Sequence, residues 1–144
     1  MLALIEAAIP QGIRLRTEAI ALRLRLGAWV RKRSLPDVLR ALSKHDRAAD
    51  PVPLPLVEEA IGASEAIVAR LRVLPDTCLY QSLARYAVLR RAGHPARFVM
   101  GIKPPADGEI TGHAWVELDN SPAFEEIEPD LIVTFSYPEG RVSP

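Results

Sequence analysis

Apolar residues recur every three or four positions through the first part of the chain and every second position near its end. Leu15, Ala19, Leu22 and Leu26 sit at helical spacing among arginines, which predicts a helix over 14–32. The apolar stretch 2–9 predicts a short helix ahead of it. Ser34 reads as an N-cap, with Pro36 and Asp37 in the first turn of a third helix over 35–44. A helix over 56–71 follows, with Val57, Ala60, Ile61, Val68 and Leu71 as its core positions. The segment V-L-P-D-T breaks it. The next helix opens at Cys78, capped by Asp76 or Thr77, and runs to about Ala92. Gly93 supplies a left-handed stop, and Pro95 lies just beyond.

The period then changes to two. A-R-F-V-M-G-I-K (96–103) and H-A-W-V-E-L (113–118) read as strands. D-N-S-P reads as a turn, A-F-E-E-I (123–127) as a third strand and L-I-V-T-F-S-Y (131–137) as a fourth. Helices followed by a small antiparallel sheet make an α+β pattern. Prolines at 51, 53 and 55 deny regular hydrogen bonding and mark a linker or extended wall. They divide a helical region, 1–50, from a core, 51–144, within one domain.

Composition narrows the class. With 49% apolar and 25% charged residues the chain has the balance of a soluble globular protein. No apolar run is long enough for a membrane span, and no secretion signal is legible. A single cysteine cannot form an internal disulfide, so a reducing compartment, the cytoplasm, is expected. Charge is uneven: +5 over 1–50, +3 over 51–103 and −8 over 104–144. The basic 1–50 segment is the candidate docking surface for an acidic partner or peptide; its arginines equally suit solvated helix faces. No nucleic-acid motif and no phosphate-binding loop is present. Cys78, His45, His94 and His113 lack metal-ligand spacing, so neither metal nor other cofactor is expected.

The chemistry gathers at Cys78 and His113, thirty-five residues apart. A lone cysteine is usually a buried hydrophobe. At the first helical residue, however, unpaired N–H groups and the helix dipole favour a thiolate and an oxyanion. On the strand after it, Ala114, Val116 and Leu118 take one face; His113, Trp115 and Glu117 take the other. That sets an imidazole beside an aromatic wall, away from the main core. His45, in a K-H-D-R run, and His94, in a turn, have no such setting. A base needs an orienting group. With a short D-N-S-P loop, His113 falls opposite residues 125–128. Glu125, which alternation sets with Ala123 and Ile127, leads as the third member, and Glu126 follows.

These residues resemble a family. C-L-Y-Q-S-L-A-R-Y-A-V-L-R-R-A-G-H-P-A-R-F-V-M-G-I-K followed by H-A-W-V-E-L-D is similar to the transglutaminase-like cysteine peptidases of lasso-peptide biosynthesis. The upstream L-R-L-G-A-W-V-R-K-R-S-L-P resembles their N-terminal helices, so the likeness covers most of the chain. It implies a papain/transglutaminase-like core that cuts the leader from a ribosomally made precursor. It further implies Cys78 as nucleophile, His113 as base and a carboxylate about twelve residues on, where the family usually has Asp and this chain has Glu125. Gln81 stands where the family commonly has Arg. The partners it implies are the precursor peptide with its leader, a separate leader-recognition protein and a lasso cyclase.

Overall fold

The computed structural model describes residues 2–44, 50–105 and 108–138, with 2–10 described by backbone alone. Helices α1 (Leu2–Lys32), α2 (Leu35–Ser43), α3 (Leu54–Leu71) and α4 (Cys78–Arg91) precede strands β1 (Arg97–Lys103), β2 (Thr111–Leu118), β3 (Ser121–Ala123) and β4 (Ile132–Tyr137). The strands form one antiparallel sheet in the order β3-β2-β1-β4. This is an α+β fold. Among the described residues no helix is long and apolar enough to cross a membrane.

The core lies between the helices and the sheet face that carries Phe98, Ala114 and Val116. Leu15, Ala19, Leu22 and Leu26 are buried there, as their spacing predicts. The two N-terminal helices expected separately are one continuous α1. A proline inside a helix, as Pro10 is here, costs about 3 kcal/mol through its missing N–H and the crowding of its ring together. The turns after it pack on α3 and α4, and the helix persists. Ser34 caps α2 by accepting from the Asp37 N–H at 3.3 Å. In α3, Val57, Ala60, Ile61 and Val68 are buried but Leu71 is not; it is the last helical residue, beside Arg72 with φ 54°. Ser64 is buried in its stead, its hydroxyl donating to the Ile61 carbonyl at 2.8 Å.

The proline stretch is held against the end of α4. The Val52 N–H donates to the Ala92 carbonyl at 2.8 Å, and the Val52 carbonyl lies 2.7 Å from His94 Nε2. Leu54 then opens α3, with Pro55 in its first turn, where a missing N–H costs nothing. His94 is thereby a strut of this wall. His45 lies outside the described residues.

The third strand departs most from expectation. Asp119 (φ 51°) and Asn120 (φ 63°) alone make the turn, the left-handed pair that tight hairpins favour. Ser121 and Pro122 are already in β3, paired with Leu118 and Glu117. β3 ends at Ala123, because Phe124 turns the chain with φ 70°. Residues 125–127, expected in the strand, run free of the sheet ladder.

Candidate active site

Cys78 is the first residue of α4, half-buried and packed against the core. Thr77 occupies the N-cap position with extended backbone (φ −90°, ψ 169°), but its side chain makes no capping bond. Asp76 does not cap the backbone either. Its carboxylate takes Arg23 Nη2 at 2.6 Å and Gln81 Nε2 at 3.2 Å. The first-turn amides around Cys78 are thus left without a side-chain acceptor from either expected cap, which suits them to hold an oxyanion.

Arg23 fixes the approach to this helix. Its guanidinium is buried in α1 and also donates to the Pro75 carbonyl at 3.0 Å. The bond from Arg23 holds the Asp76 carboxyl below the usual carboxylate range, against the opposing effect of burial. Arg23 Nε and Nη1 have no partner among the described residues, so Asp76 and Pro75 are what offsets the burial of this cation.

Ser82, one turn beyond Cys78, donates its hydroxyl to the Ala114 carbonyl at 2.8 Å. That bond sets the Cys78 stripe of α4 against the β2 residue next to His113. On the far face of β2, His113 stacks on Trp115, ring centroids 6.0 Å apart and planes 14° apart. The Trp115 ring lies over Gly101, directly opposite His113 in the β1–β2 register. A Cβ at Gly101 would stand 3.1 Å from Trp115 Cη2 and 2.9 Å from the Ile132 carbonyl oxygen. Trp115 Nε1 donates to buried Glu117 at 3.4 Å.

His113 Nε2 bonds Glu125 Oε1. With a carboxylate as the acceptor, Nε2 is the donor in this bond, and Nδ1 is the ring nitrogen that Glu125 leaves open. Glu125 is brought here by the turn at Phe124. Had β3 continued in register, Glu126 would stand opposite His113. The expectation named the residue that meets His113, but for a different reason: alternation along a strand does not operate past Ala123. Glu126 is exposed.

The other Glu125 oxygen, Oε2, accepts from Arg85 Nη1 at 2.8 Å. Arg85 also grips Glu65 of α3 with Nε (2.6 Å) and Nη2 (3.0 Å). Burial acts against the Arg85 charge, yet the bonds and charges of Glu65 and Glu125 outweigh it and raise its pKa. Its guanidinium lies 5.8 Å from the Phe124 ring centre. A cleft of about 360 Å³ opens beside His113, walled by Lys103, Gly112 and Glu125–Glu128 among others. Lys103 and Glu128 pair at 2.7 Å; their bond raises the lysine and lowers the carboxyl.

The structure therefore brings His113 and Glu125 into contact. It places Cys78 on the neighbouring helix, joined to β2 through Ser82; among the described residues no hydrogen bond links the thiol to the imidazole. Sequence reasoning passed over Arg23, Ser82, Arg85 and Glu65. A signal existed for two of them. Cys78, Ser82 and Arg85 share the i, i+4, i+7 spacing of one helix face, polar within an apolar helix.

A family model described as the transglutaminase-like superfamily matches residues 19–135. No curated protein matches the chain, and no solved structure does.

Proposed function

The chain belongs to the transglutaminase-like superfamily, and on that premise we propose that it is a cysteine peptidase that removes the leader from a ribosomally made lasso-peptide precursor. Domains of this superfamily are typically cysteine peptidase or acyltransferase folds. The observation that carries the reading is the bond between Glu125 and His113, whose strand is itself bonded to the helix that Cys78 opens. The likeness of the C-L-Y-Q-S-L-A-R-Y and H-A-W-V-E-L-D segments to the lasso leader peptidases supplies the substrate.

In this reading the Cys78 thiol gives its proton to His113 Nδ1, and the sulfur attacks the carbonyl at the leader–core junction. First-turn amides of α4 hold the oxyanion. The imidazolium, steadied by Glu125, protonates the leaving amine as the C–N bond breaks. Water, deprotonated by His113, then cleaves the thioester and frees the leader carboxylate and the thiol. A leader-recognition protein delivers the precursor, and a separate cyclase closes the ring.

The test is cleavage of precursor followed by mass spectrometry, with circular dichroism as the fold control. Cys78→Ala and Cys78→Ser should both abolish cleavage with the fold intact. Cleavage near the wild-type rate in Cys78→Ala sinks the assignment. The family match fits an acyltransferase equally well, and an added primary amine separates the two: its incorporation in place of water would favour transfer over hydrolysis.

A further inference from the structure

We propose that Arg85 is a positioning residue: anchored by Glu65 of α3, it holds the Glu125 carboxylate on His113 and so keeps Nδ1 free to take a proton. The proposal rests on the reading of His113 as the base and adds two residues to its support. β3 ends at Ala123, and nothing in the sheet ladder carries Glu125 to His113. Arg85 meets the departing chain twice, over the Phe124 ring and at Glu125 Oε2. With Oε2 taken by Arg85, Oε1 is the oxygen left for the imidazole.

Arg85 can set that geometry because it is itself set. Two of its nitrogens bond both oxygens of Glu65, the planar fork that only an arginine offers. The guanidinium is buried, so it has no solvated alternative. Glu65 also decides the charge. Alone, Arg85 would cancel Glu125 and leave the ring beside a neutral pair. With Glu65 present, two carboxylates and one guanidinium leave one net negative charge, which an imidazolium neutralises. The remaining charged groups around His113 do not compete. Lys103 of β1 is paired with Glu128, and Glu126 faces solvent. From α4 the charged group that reaches this pair is Arg85, through Glu125 Oε2.

The readout is the low-field proton resonance of His113 Nε2–H in the full-length protein without substrate, with its rate of exchange with water. Wild type should show a sheltered resonance. Glu125→Ala should lose it. Arg85→Met, with Glu125 intact, should lose it too, and Glu125→Ala added to Arg85→Met should change nothing more. Should Arg85→Met fail to fold, Glu65→Ala decides: it leaves Arg85 in place without its anchor and should speed exchange roughly tenfold. A resonance unmoved in Arg85→Met, or in Glu65→Ala where only that variant folds, overturns the proposal. The measurement needs no cleavage. A resonance that depends on Arg85 in a protein that cuts nothing would fail the peptidase reading alone; cleavage through Cys78 with an unmoved resonance would fail this one alone.

Discussion

Ser82 Oγ donates to the carbonyl of Ala114, and this one bond ties the helix that begins at Cys78 to the strand that carries His113. The hydroxyl is fully buried, so its loss is not made good by water. Ser82→Ala should cost about 1–2 kcal/mol of stability. It should also slow Cys78 alkylation at neutral pH, because the thiol and imidazole lose their shared reference point. Urea unfolding and iodoacetamide kinetics measure the two effects. An alkylation rate unchanged despite lost stability would show that the bond serves the fold alone.

Gly101 is where the sheet admits the indole. Gly101→Ala puts a Cβ against Trp115 and the Ile132 carbonyl, and the overpacking should cost about 1–3 kcal/mol. Since His113 stacks on that indole, the same substitution should disturb the imidazole. Gly112→Ala is the control, because its Cβ would meet nothing closer than the Gly101 carbonyl oxygen at 3.5 Å. Thermal melts should separate the two variants clearly. Equal melting temperatures would mean that Trp115 yields at little cost.

The helical half of the fold was legible because its signal is local. Leu15, Ala19, Leu22 and Leu26 declare a buried stripe by spacing alone, and Ser34 declares a cap by chemistry. So was the placement of Cys78 at a helix start and of His113 beside Trp115. The path of Glu125 was not. A positive φ at Phe124 leaves no mark in a sequence, since only glycine advertises that conformation. The group that meets Glu125 there, Arg85, sits forty residues earlier. Arg23 was hidden for a related reason: beside a leucine stripe it reads as solvated, and only the loop at Pro75 and Asp76 makes its burial tolerable.

The Arg23–Asp76 pair should respond unequally to loss of its two halves. The arginine side chain is 1% exposed and the aspartate 31%. Asp76→Ala strands a buried cation, at a cost of about 3–5 kcal/mol. Arg23→Met leaves a carboxylate that water can reach, and should cost less. The acid dependence follows from the lowered carboxyl. Bonding to Arg23 depresses the folded-state pKa, so the stabilisation is full above the ordinary carboxylate range and is lost as pH falls through the folded value. The gap in urea midpoint between wild type and Asp76→Asn should be wide at neutral pH and close only once the pH falls below the ordinary carboxylate range. A gap independent of pH would remove the charge from the account.

A leader-binding partner should act on this protein through the basic end of α1. Arg31, Lys32 and Arg33 are exposed there, and the 1–50 segment carries a net +5. Arg33 lies over the Trp29 ring at 5.2 Å, so replacing it would alter packing as well as charge; Arg31 and Lys32 are the cleaner probes. Reversing both to Glu costs the helix C-terminus only about 0.3–1 kcal/mol each, and the fold should survive. Tethering raises the local concentration of the scissile bond, so the partner should chiefly lower the apparent KM. Arg31→Glu with Lys32→Glu should erase that gain and leave partner-free cleavage as it was. In wild type the same gain should shrink as salt screens exposed charges. Cleavage rate against precursor concentration, with and without partner at low and high salt, reads all three effects. Full activity without any partner, or a partner effect indifferent to the reversals, would place the docking surface elsewhere.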